Sequence, residues 1–304
     1  MNTGSSARIT LAQMRSSIDQ VPMLPIVVAR LLSLSPHAED YFEQVVGLVS
    51  IDPPFLARVL QSANSASSAA ASPIVTIERA VARIGANSVA SLVTSSAVMK
   101  VFVPNSEGER KLWSHSIQVA VGTRTIAKFF PAFEISPECA YLAGLFHDIG
   151  RFIMFGLTPE QFKTDEYIWL EDFEKLLQSE LEIFECNHSE LGYEVCQKWG
   201  IPETIADVVN NHHQDTSSPR TIDQLKNNGK ALLTLVQITD ALSAGLLGRA
   251  DFADTDESFR SEWIKTLCAR PAFASLPNID QLLERSCMPI WEESNQLASE
   301  LGVV

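Results

Sequence analysis

The sequence predicts an all-α, multi-helical protein. Apolar residues recur at intervals of three and four along most of the chain, which is the spacing of helices that bury one face. Strand-like alternation between turn residues is scarce. With 304 residues, of which 46% are hydrophobic, the chain can build a sizeable core. Its 14 glycines and 15 prolines exclude a collagen-like or generally disordered chain.

Residues 1–105 are predicted to form an N-terminal helical lobe. The prolines in Val21–Pro25 exclude interior helix there, so this segment should lead into a helix at Ile26–Leu34. Another helix should begin after Asp52, which suits an N-cap and precedes Pro53 at the first helical position. A further helix is expected at Ile77–Ile84, because a glycine follows it.

Residues 106–248 are predicted to form a second helical lobe that carries the chemistry. Its first apolar helical run opens at His115. Residues 249–304 form a C-terminal helical extension that begins with an acidic loop at 251–257. Two helices are expected in this extension, Phe259–Cys268 and Ile279–Leu301, with a proline-containing turn between them.

The composition restricts the partners and the location. The 23 Lys and Arg residues against 37 Asp and Glu give a net charge of −14, and no basic run offsets it, so neither nucleic acid nor an anionic membrane is expected as a partner. No segment reaches about 18 uninterrupted apolar residues, so no membrane span is predicted and the location should be cytoplasmic. The five cysteines are widely spaced without a Cys-x-x-Cys, which favours reduced thiols over disulfides or a thiolate zinc site.

Histidines and aspartates in the second lobe point to a metal site. Five of the six histidines fall within residues 115–213, each in or beside a helical segment. Imidazoles and carboxylates on separate helices are a usual way to build a metal site in a helical core. Asp240 stands in an apolar helical run, where a buried carboxylate is costly unless it is paired or binds metal. One or two divalent transition-metal ions (Fe, Mn, Zn or Ni) would suit these side chains. The candidate ligands are His115, His147, Asp148, His188, His212, His213 and Asp240.

Each of these residues alone also has an ordinary structural explanation. A single histidine at a helix start is more often a surface or capping residue than a ligand. His212 and His213 could lie exposed at a helix C-terminus, where the helix dipole favours cations. Asp240 could cap a turn or pair with an arginine. His37 follows a proline in a polar stretch and is predicted to be a loop residue.

Several motifs, in the same order along the chain, resemble a known family. The segment Leu145-Phe146-His147-Asp148-Ile149-Gly150 is similar to the signature of the HD superfamily of metal-dependent phosphohydrolases. Other segments sharpen this to a resemblance to the HDOD family (HD-related output domain), over about residues 18–245. These segments are Leu24-Pro25, Asp52-Pro53, Asn64-Ser65-Ala66, Ala80–Gly85, Trp113-Ser114-His115, Trp199-Gly200-Ile201-Pro202 and His212-His213.

The resemblance implies an all-α fold in which an N-terminal lobe packs against an HD-like lobe. It also implies a role in bacterial signalling, with partners among two-component and cyclic-di-GMP proteins. Most members have no demonstrated activity and many have lost the metal ligands. Here every ligand of the related HD-GYP phosphodiesterases has a counterpart among the candidates above, which implies a two-metal centre bridged by Asp148. If the protein is an enzyme, its catalytic residues would be Asp148 and Arg151, which replaces the family's lysine and could contact phosphate.

Two departures from the family pattern argue against efficient catalysis. The Gly-Tyr-Pro loop that follows the paired histidines is absent, because residues 214–220 read Gln-Asp-Thr-Ser-Ser-Pro-Arg. Lys111 stands where some members carry an acidic residue for a third metal. We therefore predict a metal-binding signalling module that acts through protein partners or a small phosphate ligand. The alternative is a metal-dependent phosphohydrolase or phosphodiesterase that acts on a nucleotide or cyclic dinucleotide.

Overall fold

The computed structural model describes residues 10–65, 73–157, 173–214, 225, 228–273 and 276–303. Over these residues the chain forms helices and contains no strand, which confirms the all-α prediction. Residues 215–220, where the sequence lacks the Gly-Tyr-Pro loop, lie outside the described part. The helices are α1 (Leu11–Gln20), α2 (Ile26–Ser33), α3 (Tyr41–Ser50), α4 (Pro53–Ala63), α5 (Ile77–Ile84), α6 (Ala86–Val101), α7 (Glu107–Ala127), α8 (Pro137–Phe146), α9 (Ile149–Leu157), α10 (Phe173–Phe184), α11 (His188–Trp199), α12 (Glu203–Asn211), α13 (Gly229–Leu242), α14 (Glu257–Cys268) and α15 (Ile279–Leu301).

Local capping signals set several of these helix ends as predicted. Helix α4 begins at Pro53, and the Asp52 carboxylate accepts a hydrogen bond of 3.2 Å from the backbone N–H of Phe55. Helix α5 ends before Gly85, whose φ of 92° is in the region that favours glycine. Helix α15 has the predicted bounds, and α14 begins at Glu257, two residues before the predicted start.

The expected helix start at His115 is wrong. Helix α7 begins at Glu107, where Ser106 and Glu109 form a capping box with backbone N–H to side-chain bonds of 3.2 and 2.8 Å. The first turns of α7 are mostly charged, so the apolar pattern begins later than the helix does. His115 consequently lies inside a 21-residue helix, where neighbouring helices bury it.

The chain divides into two compact units. One comprises residues 22–103 and 299–302, and therefore contains α2 to α6 and the last turn of α15. In this unit the Arg58 guanidinium donates a hydrogen bond to the backbone carbonyl of Glu300, and the Ser62 hydroxyl donates one of 3.0 Å to the Glu300 carboxylate. The other unit comprises residues 1–21, 104–298 and 303–304, and it contains every candidate metal ligand.

Helix α13 is a buried helix of the second unit. With the π-helical turn that follows it (Ser243–Leu247), it is long and apolar enough to cross a membrane by length and composition alone. However, 72% of this apolar window is buried inside the protein, where α13 packs against α7, α8, α12 and α14. This burial is typical of a core helix, so the apolar window is weak support for a membrane span.

The helices around the candidate site approach one another closely at glycines. A Cβ at Gly144 in α8 would lie 2.8 Å from backbone atoms of Ala120 in α7. A Cβ at Gly150 in α9 would overlap the backbone carbonyl oxygen of His188 in α11. Because backbone atoms cannot turn aside as a side chain can, these crossings require glycine.

We predict that Gly150→Ala lowers the free energy of unfolding by about 1–3 kcal/mol, because the added methyl must push α9 away from α11. Gly156→Ala is the matched control in the same helix, since a Cβ there would meet nothing within 4 Å. That change should stabilise the helix by about 0.5–1 kcal/mol. Urea unfolding of both variants measures the difference, and equal stability of the two would contradict the packing account.

Candidate metal centre

The structure brings all seven candidate ligands together in one buried cluster. His115 and Asp240 lie inside α7 and α13, whereas the other five stand at or beside helix ends. His147 and Asp148 occupy the turn between α8 and α9, and His188 is the first residue of α11. His212 and His213 directly follow α12, so five chain segments contribute donors. Within each of two groups, His115-His147-Asp148 and Asp148-His188-His212-His213, one donor atom per residue lies within 4.8 Å of the others.

We call the first set of donors subsite A. It consists of His115, His147, Asp240 and one oxygen of Asp148. The Nε2 atoms of His115 and His147 are 3.2 Å apart, and Asp240 Oδ1 lies 3.2 Å from His115 Nε2 and 3.9 Å from His147 Nε2. Asp148 Oδ2 lies 3.8 and 3.6 Å from the same two nitrogens. The two nitrogens and the Asp148 oxygen lie within 4.8 Å of one another, and Asp240 Oδ1 lies beside the two nitrogens.

Subsite B consists of His188, His212, His213 and the other oxygen of Asp148. His188 Nε2 lies 3.1 Å from His212 Nε2 and 2.9 Å from His213 Nε2. Asp148 Oδ1 lies 3.2 Å from His188 Nε2 and 3.6 Å from His212 Nε2. Three imidazoles and one carboxylate oxygen therefore converge here.

Asp148 joins the two subsites, because its Oδ2 faces subsite A and its Oδ1 faces subsite B. Arg151, one turn further along the chain, donates a hydrogen bond of 3.1 Å from Nη1 to Asp148 Oδ2. Both side chains are buried. The structure thus places Arg151 beside the shared carboxylate.

The outward ring nitrogens of four histidines are held by groups outside the cluster. His147 Nδ1 and His212 Nδ1 each lie 2.7 Å from a backbone carbonyl oxygen, which can only accept a hydrogen bond. Each of these rings therefore carries a proton on Nδ1, and in its neutral form presents the Nε2 lone pair to the cluster. His188 Nδ1 lies 2.7 Å from a Glu180 carboxylate oxygen, and His115 Nδ1 lies 2.9 Å from the Ser243 hydroxyl. Metal-binding histidines are typically oriented by such outer partners.

The electrostatics of the cluster favour ionised aspartates and, at His147 and His213, uncharged imidazoles. Burial lowers the pKa of His147 to about 4 and also lowers the pKa of His213 well below its ordinary value. Burial raises the pKa of Asp148, but the neighbouring His147 and Arg151 outweigh this effect and hold the pKa well below its usual range. Burial likewise opposes ionisation of Asp240, and its contact with His115 outweighs burial and lowers its pKa. These protonation states are the ones that bind metal.

His188 differs from His147 and His213. Burial lowers its pKa, but the Glu180 carboxylate outweighs burial and raises it. The Nε2 of His188 faces two imidazole nitrogens and one aspartate oxygen at 2.9–3.2 Å. One proton on this nitrogen can be donated to one of these acceptors, whereas a bound cation attracts all of them at once.

The donor set fits a divalent transition metal. Nitrogen and oxygen ligands at about 2.1 Å from one ion, set roughly at right angles, are separated by about 3.0 Å. The Nε2 pairs, at 2.9–3.2 Å, have this separation. Among the described residues, the carboxylates of Asp148 and Asp240 are accompanied by the guanidinium of Arg151, while the Glu180 carboxylate faces His188. Mixed imidazole and carboxylate donors suit Zn, Fe, Mn and Ni.

His212, His213 and Asp240 face other members of the cluster, rather than lying at an exposed helix end or pairing with an arginine. His212 and His213 both belong to the cluster, His212 buried and His213 partly exposed, with ring centroids 4.0 Å apart. Asp240 contacts two imidazoles. His37 is exposed, as the sequence predicts for a loop residue.

Sequence reasoning missed three residues that hold the histidines from outside: Glu180, Ser243 and Gln118. Glu180 is fully buried, and its carboxylate accepts hydrogen bonds from the backbone N–H and from Nδ1 of His188, at 2.9 and 2.7 Å. A signal for Glu180 existed, because Leu176, Glu180 and Phe184 are four residues apart and share the apolar face of α10. Ser243 and Gln118 carry no comparable signal, because a single serine or glutamine in a helical pattern does not indicate which distant residue it contacts.

We predict that Glu180→Ala costs about 1–3 kcal/mol of unfolding free energy, because it leaves two buried donors of His188 without an acceptor. Glu182→Ala is the control in the same helix, and as an exposed substitution it should change stability by less than about 0.5 kcal/mol. Chemical unfolding of the metal-free protein measures both values. A loss in Glu180→Ala no larger than in Glu182→Ala would show that the carboxylate does not hold His188.

Comparison with known proteins agrees with this architecture. A family model for the HDOD domain matches residues 21–215. An uncharacterized protein from Treponema pallidum (strain Nichols) is 22% identical over 208 residues, which are 68% of this chain and only 40% of that protein. The chain thus corresponds to less than half the length of this curated relative.

Solved structures share the fold. The structure of a "Putative phosphohydrolase" from Shewanella amazonensis SB2B has a TM-score of 0.66 and 23% identity, covering 93% of this chain and 97% of that one. An HDOD domain protein with unknown function from Geobacter sulfurreducens has a TM-score of 0.64 and 24% identity, covering 93% and 96%. A "Putative signal transduction protein" from Marinobacter aquaeolei VT8 has a TM-score of 0.67 and 19% identity, covering 96% and 65%. Because the family model matches more than half of the chain, the protein belongs to the HDOD domain family.

Proposed function

We propose that the protein is a metal-binding HDOD signalling module in which two divalent ions occupy subsites A and B. One observation carries this proposal: the Nε2 atoms of the cluster histidines converge at 2.9–3.2 Å while outward Nδ1 atoms are held by other groups. Two imidazole nitrogens without a proton repel one another at this distance unless a cation lies between them, and a proton on His188 Nε2 can be donated to only one of its neighbours. Asp148 directs one carboxylate oxygen to each subsite, which supports two ions rather than one.

A regulatory role is favoured by the burial of the centre. The donors other than His213 are 0–6% exposed, which leaves little room for a bulky substrate to reach them. The donors come from five separate segments between residues 115 and 240, so bound ions would cross-link these segments. Metal occupancy would thereby set the conformation of this unit, which a partner or a small phosphate ligand could sense. Partners in two-component or cyclic-di-GMP signalling and a cytoplasmic location belong to this proposal.

The second candidate function is a metal-dependent phosphohydrolase that acts on a nucleotide or cyclic dinucleotide. The observation that favours it is the guanidinium of Arg151 beside the shared carboxylate. Two ions, when bound, supply Lewis-acid chemistry that suits phosphoester cleavage. In this candidate Asp148 holds the ions, and N–H groups of Arg151 that do not bond Asp148 contact a phosphate oxygen.

We predict about two ions per chain in protein purified without added metal or chelator, as measured by elemental analysis. Asp148→Asn should lose both ions, because it removes the charge that the subsites share, and Asp240→Asn should keep about one. His37→Ala is the control, since it removes an exposed histidine outside the cluster. The proposal would be contradicted if wild type expressed with Fe, Mn and Zn supplied contained no metal. It would also be contradicted if wild type and a folded Asp148→Asn variant contained equal amounts of metal.

We further predict that the metal-loaded protein hydrolyses bis(4-nitrophenyl) phosphate no faster than Asp148→Asn does. The reason is that the buried centre excludes the substrate. The rate of 4-nitrophenol release, with Mn²⁺ or Fe²⁺ present, measures the hydrolysis by each of the two proteins. Turnover that Asp148→Asn abolishes and His37→Ala retains would instead favour the second candidate.

A further inference from the structure

We propose that Gln118 and Ser243 are positioning residues that hold His115 with its proton on Nδ1 and direct its Nε2 lone pair into subsite A. This inference deepens the proposed function, because it concerns the ligand geometry of one of the two subsites. It assigns a role to two buried polar residues that the cluster itself does not contain.

The three residues form a chain of hydrogen bonds whose direction is fixed at one end. Gln118 Nε2 donates a hydrogen bond of 3.3 Å to the backbone carbonyl of Leu247, which can only accept. The amide oxygen of Gln118 therefore points the other way, and the Ser243 hydroxyl donates to it at 2.6 Å. With its hydrogen used, the Ser243 oxygen is left to accept from His115 Nδ1 at 2.9 Å. The opposite nitrogen of His115 then carries the lone pair.

The chain of hydrogen bonds lies away from water. His115, Gln118 and Ser243 are all buried, at 4%, 6% and 0% exposure. Water therefore does not offer competing partners, and the hydroxyl of Ser243 has one favourable orientation. A neutral imidazole in water interconverts freely between its two tautomers. In the protein the Asp240 carboxylate, 3.2 Å from His115 Nε2, favours a proton on Nε2, and the hydrogen bond to Ser243 opposes it by holding the proton on Nδ1.

The π-helical turn Ser243–Leu247 supplies both the Ser243 hydroxyl, which contacts His115, and the Leu247 carbonyl, which accepts from Gln118. Its hydrogen bond of 2.8 Å from the backbone N–H of Gly248 to the carbonyl of Ser243 spans five residues. The turn is also packed from its other side, because a Cβ at Gly245 would overlap the indole of Trp263 in α14. Ser243 and Trp263 lie beyond the residues matched by the HDOD family model. The C-terminal part of the chain thus contributes to holding a metal ligand.

The test uses Ser243→Ala and Gln118→Met, the second of which keeps the side-chain length while removing both hydrogen-bonding groups. Ser116→Ala is the matched control: Ser116 is buried in α7 next to His115, and its hydroxyl has no hydrogen-bond partner among the described residues. Ser243→Thr, which keeps the hydroxyl, is the conservative rescue. All four variants are full-length chains.

The first measurement is ¹⁵N NMR of the His115 ring in the metal-free protein at about pH 8, where neutral imidazole predominates. We expect the Nδ1–H tautomer in wild type, Ser116→Ala and Ser243→Thr, and a mixture of tautomers in Ser243→Ala and Gln118→Met. A merely structural role would lower stability without moving this signature. The Nε2–H tautomer in wild type, or an unchanged tautomer in both Ser243→Ala and Gln118→Met, overturns the inference.

The second measurement is titration of the metal-free proteins with Zn²⁺ followed by calorimetry. We expect Ser243→Ala and Gln118→Met to weaken one of two binding steps about 10–100-fold and to leave the other step unchanged. Equal weakening of both steps, or of neither, overturns the inference. If wild type binds no Zn²⁺, the proposed function fails, and the tautomer measurement alone decides whether Gln118 and Ser243 position His115.

Discussion

The arrangement of this unit depends on one buried carboxylate. Asp148 lies in a turn between two helices and offers one oxygen to each of two sets of imidazoles. A carboxylate in such a position is costly unless opposite charge surrounds it, and Arg151 supplies only part of that charge. The proposed cations would supply the remaining charge, and the surrounding helices hold the histidine Nε2 atoms close together around this carboxylate.

Packing and donor placement are linked at the helix crossings. The crossing of α9 and α11 at Gly150 brings the backbone of His188 against α9, directly beside the turn that bears Asp148. The crossing of α7 and α8 at Gly144 similarly sets the helix of His115 against the helix that ends at His147. Any side chain at these glycines would separate donors that must lie about 3 Å apart to share an ion.

Outer partners complete the centre and come from distant parts of the sequence. Glu180 holds His188 from α10, and Ser243 holds His115 from the turn after α13. Both Asp240 and Ser243 lie beyond the segment that the family model matches. Under the proposed function, metal binding at His115 and the packing of α14 are connected through the π-helical turn, which contains both Ser243 and Gly245.

The sequence by itself determined the all-α class, many helix ends and the seven candidate donors. These features are local: apolar spacing, an N-cap at Asp52 or a glycine at position 85 act within a few residues. The motif order also placed the chain in its family. Only the tertiary structure decided that Asp148 divides its oxygens between two subsites, and that Glu180, Gln118 and Ser243 orient two of the histidines. Such contacts join residues up to 129 positions apart, and their geometry depends on how helices pack, which no local pattern encodes.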